Sequence, residues 1–227
     1  MIKVTENFRK IQDLLAKAAA DAGRSADQIR LVAVSKTKPA EAILEAYAAG
    51  QRDFGENFVR EGLEKIATVN RADAVWHFIG HLQANKTKAV AQHFQWVHTV
   101  DRLKIARRLS VQRPHDTDDL NICIEVNIDA EDNKSGVAVA EVADLAAAVA
   151  DLPGLRLRGL MCLPAIRDDF EEQRRPFARL RMLMESLNKS GMQMDTLSMG
   201  MTSDYAAAIR EGATIVRVGT AIFGARE

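Results

Sequence analysis

The sequence predicts an α/β protein that folds as a single-domain (β/α)8 TIM barrel over residues 1–227, with an extra N-terminal helix. Short apolar, β-branched segments alternate with longer amphipathic segments eight times, which is typical of parallel strands joined by right-handed crossovers. No Gly/Ser-rich linker and no change in composition interrupts this order, which favours one domain. None of the strand candidates has the character of an edge strand, which favours a closed barrel over an open doubly wound sheet.

The N-terminal segment, residues 1–23, predicts an amphipathic helix that precedes the first strand. Its apolar side chains recur at helical spacing, at Val4, Phe8, Ile11, Leu14, Leu15 and Ala18. Charged residues occur every few positions, so the segment is neither a signal peptide nor a membrane span. We therefore expect a cytoplasmic protein with no membrane partner.

The eight strand candidates are short runs of apolar and β-branched residues, and the second and seventh are assigned mainly by their position in the order. They are Leu31–Ser35, Arg52–Gly55, Trp76–Ile79, Trp96–Thr99, Leu120–Asn127, Leu155–Met161, Thr196–Ser198 and Thr214–Val218. The seven helical segments that follow or separate them are residues 39–50, 57–69, 84–94, 101–110, 137–154, 170–191 and 203–212. Several of these begin with Pro, Asn, Asp or Ser and end in Gly, as helix caps do. The polar run at 113–119 predicts a surface loop.

Composition restricts the possible partners. Lys plus Arg and Asp plus Glu both total 31, so the formal net charge is zero and no long-range attraction to nucleic acid is expected. The two cysteines, Cys123 and Cys162, lie in apolar runs without a repeated spacing, which favours buried thiols over a disulfide. A binding site must therefore depend on local groups.

The loops after the seventh and eighth strands predict a phosphate site, because barrels of this kind commonly bind phosphate there. Gly200 and Gly219 allow a close backbone approach, and Ser198, Thr202 and Thr220 carry hydroxyl groups. Gly, Ser and Thr are also common in ordinary loops, so either loop alone has a second interpretation. Two such loops at the expected positions favour a phosphate cradle.

A lysine at the end of the first strand is the candidate nucleophile. Val32, Val34 and Lys36 share one face of the strand, which places the amine where the apolar interior meets the rim. Desolvation lowers the pKa of an amine and favours Schiff-base formation with an aldehyde. The alternative is a lysine that extends its charged end into solvent.

Arg217 interrupts the apolar eighth strand, where an unpaired guanidinium is costly to bury, so it needs an acceptor. In a closed barrel the first and eighth strands are neighbours, which brings Lys36 and Arg217 together beside Gly219 and Thr220. Pyridoxal 5'-phosphate (PLP) has an aldehyde, a pyridine nitrogen and a phosphate. An aldehyde-reactive lysine, a donor to a ring nitrogen and a phosphate cradle match these three groups. A structural salt bridge from Arg217 to a carboxylate is the alternative.

Other polar residues at strand ends give weaker indications. Asn57 is a candidate contact to the cofactor, or a cap of the helix that follows it. His77 and His81 lie four residues apart, but not on a helix, so no metal site is expected. Glu56 and Glu125 would be the carboxylates of a glycosidase, which the low aromatic content of 5% argues against.

Several motifs resemble those of the pyridoxal phosphate homeostasis protein family, and the resemblance runs nearly end to end. They are the segments 33–39 (AVSKTKP), 54–57 (FGEN), 76–86 (WHFIGHLQANK), 133–136 (NKSG), 158–161 (RGLM), 197–204 (LSMGMTSD) and 216–226 (VRVGTAIFGAR). The resemblance implies the barrel of the alanine racemase N-terminal domain, with Lys36 as the Schiff-base lysine and Arg217 facing the pyridine ring. It places the phosphate loop on Ser198, Met199 and Gly200 together with Gly219 and Thr220.

The same resemblance implies a role in buffering or delivering PLP, with PLP-dependent apoenzymes as possible recipients and no established catalysis. An arginine opposite the pyridine nitrogen leaves it unprotonated and the ring a poor electron sink. The family's racemase relatives take a tyrosine base from a second domain that this sequence, ending at Glu227, is not expected to carry. A racemase of low activity is the alternative function. A monomer is expected, because no exposed apolar helix face stands out.

Overall fold

A computed structural model describes residues 3–131 and 134–225 and has the closed parallel barrel that the sequence predicts. Nine strands are present in chain order: β1 Arg30–Val34, β2 Asp53–Glu56, β3 Val75–Phe78, β4 Trp96–Val100, β5 Leu120–Asn127, β6 Val137–Ala138, β7 Leu155–Met161, β8 Thr196–Ser198 and β9 Ile215–Val218. Eight of them close the barrel, because β1 pairs with both β2 and β9 and β4 pairs with β5. The two-residue β6 pairs with β5 and was not predicted.

The strand predictions hold to within one residue at each end. The bounds of β5, β7 and β8 agree with the prediction, and the other five barrel strands shift by a single residue at one or both ends. β1 stops at Val34 instead of Ser35, because the chain turns as Lys38 N donates to the carbonyl of Ser35 at 3.0 Å. Lys36 therefore lies in a turn just beyond the strand.

The helices surround the barrel. They are α1 Val4–Asp21, α2 Ala40–Ala48, α3 Val59–Val69, α4 Thr87–His93, α5 Leu103–Gln112, α6 Val142–Ala150, α7 Phe170–Lys189, α8 Tyr205–Arg210 and α9 Thr220–Phe223, with 3-10 turns at Ala26–Gln28 and Val139–Glu141. The N-terminal helix α1 packs on α2, α8 and α9, and Asn7 donates to the carbonyl of Ile222 at 3.1 Å. The short α9 was not predicted; the sequence indicated a loop there. Leu14, expected in the apolar stripe of α1, is exposed.

The core has two layers. The larger layer lies between the sheet and the helices, and the smaller one fills the barrel interior with Val32, Trp96, Cys123, Met161 and Ile215. At the N-terminal ends of the strands, guanidinium groups of Arg30 and Arg158 lie 5.9 and 5.0 Å from the centre of the Trp96 ring. These three side chains line a pocket of about 240 Å³ at this end of the barrel.

The predicted cysteine chemistry is confirmed by burial. Cys123 and Cys162 are free, buried thiols, and burial raises the pKa of each to about 12. Neither is therefore a nucleophile at neutral pH. Within residues 3–131 and 134–225, no helix combines the length and the apolar character needed to cross a bilayer.

Candidate functional site

A cavity of about 520 Å³ opens at the carboxyl ends of the barrel strands. Five of the eight predicted site residues lie in its wall: Lys36, Asn57, Arg217, Gly219 and Thr220. The rest of the wall is formed by Val34, Ile79, Leu163, Met201, Thr202 and Ser203. The cavity therefore joins the end of β1 to the two predicted phosphate loops.

The turn that carries Lys36 is held by a buried lysine from α3. Lys65 Nζ donates to the carbonyl of Ser35 at 2.6 Å, to Glu56 Oε1 at 2.8 Å and to Glu61 Oε1 at 2.6 Å. Glu61 in turn accepts the backbone N–H of Thr37. We call Lys65, Glu56, Glu61 and the Ser35 carbonyl the Lys65 clamp. It fixes the backbone on both sides of half-buried Lys36.

Glu56 gives the clamp its buried negative charge. Burial raises the pKa of the Glu56 carboxyl, and hydrogen bonds from Lys65 and Ser35 offset part of that rise. Ser35 Oγ donates to Glu56 Oε1 at 2.6 Å, while Glu56 Oε2 has no hydrogen-bond partner in the described ranges. Glu56 thus supports the turn from below and does not line the cavity, so the structure does not bring Glu56 and Glu125 into one cleft.

Arg217 is a buried residue of the cavity wall, and its hydrogen-bond partners are neutral. Its Nη1 donates to Ser198 Oγ at 2.6 Å and its Nη2 donates to the carbonyl of Cys162 at 3.0 Å. Burial lowers the pKa of the guanidinium. Because the acceptors are a hydroxyl and a carbonyl, the alternative of a structural salt bridge is not what the structure has.

Three predicted residues lie away from the cavity wall. Ser198 Oγ is held between Arg217 and His98 Nδ1, the latter at 2.7 Å. Met199 is buried in the outer core, and its N–H donates to the carbonyl of Ile215 at 3.1 Å. Gly200 is the third. The residues of this loop that line the cavity lie further along, at Met201, Thr202 and Ser203.

The two glycines of the predicted phosphate loops lie in crowded backbone. Gly200 has a φ of 95°, and a Cβ there would lie 2.7 Å from the Cβ of Ala208. A Cβ on Gly219 would lie 3.1 Å from the carbonyl oxygen of Val34. Only glycine allows these loops to approach α8 and β1 so closely.

Asn57 projects a polar atom without a protein partner. Its Oδ1 is buried and accepts no hydrogen bond in the part of the chain that the structure describes. It does not cap α3, whose N-cap is Phe58 without a side-chain cap bond. An unsatisfied amide oxygen at a cavity wall is what a polar ligand would satisfy.

Some site residues were not found from the sequence. Ile79 continues the inward-facing alternation from His77 on β3, which was available as a signal. No sequence pattern indicates that Leu163 and Met201 line the cavity. Both lie in loops that follow strands, and local pattern does not determine how such loops fold at the rim. His77 and His81, which were not expected to form a metal pair, lie in different surroundings: His77 is buried and His81 is exposed. Over residues 3–131 and 134–225, no group of three His, Cys, Asp or Glu residues has the arrangement of a metal site.

A titratable carboxyl faces the interior near Arg217. Glu125 on β5 is buried, its Oε2 lacks a hydrogen-bond partner among the described residues, and burial raises its pKa to about 7. Asp101 adds to that rise and Arg217 opposes it. The charge of Glu125 therefore changes near neutral pH.

The fold and the site define a class of protein. The sequence matches the alanine racemase, N-terminal domain family over residues 4–227. The alanine racemase of Corynebacterium glutamicum has the same fold, with a TM-score of 0.75 and 16% identity over 98% of this chain and 61% of the racemase. At that identity the likeness concerns the fold alone.

Closer relatives narrow the class. The pyridoxal phosphate homeostasis proteins of Pseudomonas aeruginosa and Escherichia coli K12 are 53% and 49% identical to it, over 100% of this chain and 97% and 98% of theirs. The solved structure of PipY from Synechococcus elongatus with PLP bound superposes with a TM-score of 0.81 and 35% identity, over 92% of this chain and 100% of PipY. This chain belongs to the pyridoxal phosphate homeostasis protein family.

Proposed function

We propose that this protein binds PLP in the cavity at the carboxyl ends of the strands, through a Schiff base to Lys36, and acts as an intracellular carrier or buffer of the cofactor. When bound, PLP supplies an aldehyde that condenses reversibly with a primary amine. The observation that carries the proposal is one cavity whose wall contains Lys36, Arg217 and both hydroxyl-bearing loops.

The residues present fit the aldehyde, the ring nitrogen and the phosphate of the cofactor. The amine of Lys36 would take the aldehyde, and Arg217 would donate to the ring nitrogen. The phosphate would be held by Thr202, Ser203 and Thr220, with the backbone of Gly219 close by. The cavity thus offers a cation and several donors to a dianionic ligand.

The chemistry of the cavity-lining residues favours binding of PLP over catalytic turnover. Arginine keeps its proton, so a ring nitrogen facing Arg217 stays unprotonated and electron withdrawal through the ring is weak. A racemase needs bases on two faces of the substrate carbon. The cavity-lining residues in the described part of the chain include Lys36 but no tyrosine or histidine.

Loading the purified protein with PLP tests the binding proposal. We expect a yellow protein whose chromophore is lost in Lys36→Ala, and a label that borohydride fixes on Lys36. Lys38→Ala is the matched control, because Lys38 lies two residues away and donates to the carbonyl of Ala225 at 2.6 Å. A protein that takes up no PLP, or a Lys36→Ala variant that keeps the chromophore, would contradict the proposal.

The carrier role has its own test. Loaded protein is mixed with a PLP-dependent apoenzyme in the presence of a scavenger that removes free PLP. Reactivation that continues supports delivery, and reactivation that stops reduces the role to storage. Steady turnover of an amino-acid panel, above the rate with free PLP, would instead favour the low-activity racemase.

A further inference from the structure

A row of five hydrogen-bonded polar side chains crosses the barrel interior, from the N-terminal side to the cavity floor. Asp53, His77 and His98 come from the adjacent strands β2, β3 and β4, and Ser198 and Arg217 come from β8 and β9. Four of the five are buried, while the side chain of Asp53 is 18% exposed. We call this row the interior chain.

Each link of the interior chain has hydrogen-bond length. Asp53 Oδ1 lies 2.9 Å from His77 Nε2, and His77 Nδ1 lies 2.9 Å from His98 Nε2. His98 Nδ1 lies 2.7 Å from Ser198 Oγ, which accepts from Arg217 Nη1 at 2.6 Å. The row is therefore continuous between the two ends.

The carboxylate at the Asp53 end fixes every proton along the row when both rings are neutral. A carboxylate only accepts, so His77 carries its proton on Nε2 and donates to Asp53. His77 Nδ1 is then an acceptor, so His98 carries its proton on Nε2 and donates to it. His98 Nδ1 in turn accepts from the Ser198 hydroxyl, whose oxygen accepts from Arg217. All four bonds point the same way, from Arg217 toward Asp53.

Burial supports this assignment because it requires both imidazoles to be neutral. Desolvation lowers the pKa of His77, and it lowers the pKa of His98 still further with the help of nearby His77 and Arg217. Arg30 also lies beside the Asp53 end, at 3.2 Å from Oδ1. A second proton on either ring would reverse one donor and leave a polar group of the row unpaired.

We infer that Asp53, His77, His98 and Ser198 are positioning residues that orient the Arg217 guanidinium toward the bound cofactor and connect it to the opposite face of the barrel. The inference rests on the proposed binding of PLP. Two of the guanidinium nitrogens, Nη1 and Nη2, are held by Ser198 and Cys162, so the group keeps one orientation at the cavity wall. A change at Asp53 is transmitted to the cofactor through the tautomers of two rings.

The first experiment reads the tautomers directly in PLP-free protein by 15N NMR of labelled histidine side chains. We expect the two buried rings, assigned by loss of their signals in His77→Gln and His98→Gln, to be neutral at pH 7 with the proton on Nε2. A proton on Nδ1, or a charged ring, in either residue would overturn the inference without affecting the proposed binding of PLP.

The second experiment compares Asp53→Asn with Asp195→Asn in PLP-loaded protein. Asp195 is the matched control, because it also pairs with an arginine on the N-terminal face, Arg158 at 2.8 Å, but lies outside the interior chain. We expect Asp53→Asn to shift the absorption maximum of the bound cofactor and to speed its dissociation about two- to tenfold, as expected for one weakened hydrogen bond. Asp195→Asn should leave both unchanged.

Ser198→Ala should shift the absorption maximum of the bound cofactor further, because it removes the direct acceptor of Arg217. Cys123→Ala is the control for the loss of one side-chain atom in the barrel interior. If wild-type protein binds PLP and the Asp53 and Ser198 variants match it in absorption and dissociation, the interior chain has no positioning role. If wild-type protein binds no PLP, the proposed function fails first. The NMR result still tests the proton assignment if Asp53→Asn or Ser198→Ala does not fold.

Discussion

Two buried polar networks support the candidate site, and they differ in how they carry charge. The Lys65 clamp under the Lys36 turn places a lysine and two carboxylates within hydrogen-bond distance of one another. The interior chain under Arg217 separates its two charged ends by two neutral rings and a hydroxyl. Removing one member of a compact charged network leaves a buried charge without its partner. Removing one member of an extended neutral network leaves the group at its end less well oriented. The first should govern stability and the second the geometry around the cofactor.

Breaking the clamp should have the largest effect. Lys65→Met leaves Glu56 buried without its cation, so we expect the free energy of unfolding in urea to fall by about 3–5 kcal/mol. Lys10→Met, on the exposed face of α1, is the control and should change it little. In the double variant Lys65→Met with Glu56→Gln, part of the loss should return. A single-variant loss below about 1 kcal/mol would show that the clamp is not a buried ion pair in solution.

The Arg217 side should respond to pH through Glu125. The folded pKa of about 7 lies above the ordinary 4.5, so folding retains a proton between these values. The resulting stabilisation is complete below pH 4.5 and is lost as the pH rises through 7. Glu125→Gln should remove this dependence and make the protein roughly 2–3 kcal/mol more stable than wild type at pH 8. Denaturant titrations at pH 4.5 and 8 measure it; parallel curves for the two proteins would refute the expectation.

The interior chain should show the opposite sign. His77 and His98 have folded pKa values below 6.5, so the unfolded state takes up their protons first as the pH falls. Stability that is present above pH 6.5 is then lost, by up to about 1.4 kcal/mol per pH unit for each ring. Measured in Glu125→Gln protein, to exclude the carboxyl, the slope between pH 6.5 and 5.5 should be shallower in His98→Gln. An unchanged slope would assign the acid sensitivity elsewhere.

The smallest effect should come from the backbone of the Lys36 turn. Thr37 has a φ of 64°, a conformation that costs a β-branched residue about 1–2 kcal/mol. Thr37→Gly relieves that strain but increases the entropy of the unfolded chain, so we expect a net gain of about 0.5 kcal/mol. Thr68→Gly, at an exposed position in α3, should instead lower the melting temperature. A loss of stability in Thr37→Gly would mean that the threonine side chain contributes more than its backbone costs.

The sequence predicted what neighbouring strands determine. Strand order alone brings Lys36 and Arg217 to one rim. Alternation along β2 and β3 also places Asp53 and His77 on the inner face, although this was not predicted. The contact between His98 and Ser198 joins strands that are not neighbours, and one-dimensional periodicity does not specify a distance across the barrel. The contact between Ser198 and His98 was therefore not predicted, and the assignment of Ser198 to the phosphate loop stays a prediction.

Lys65 shows a different limit. It shares a helix face with Gly62 and Val69, which are buried, so its position was readable as inward. A lysine in an amphipathic segment is nevertheless usually exposed, and only the location of Glu56 and Ser35 beneath α3 makes burial favourable. The acceptors come from other elements, so local pattern alone does not supply them.

The packing of Arg30 and Arg158 against Trp96 has a consequence for how a ligand enters and leaves the barrel. Val32, Cys123 and Met161 pack with Trp96 inside the barrel, and the cavity opens at the rim where Leu163, Thr202 and Thr220 are exposed. Whatever occupies the cavity must leave by the route through which it entered. A ligand therefore binds and dissociates through the same opening of the cavity, and a bound ligand has to dissociate before another can bind.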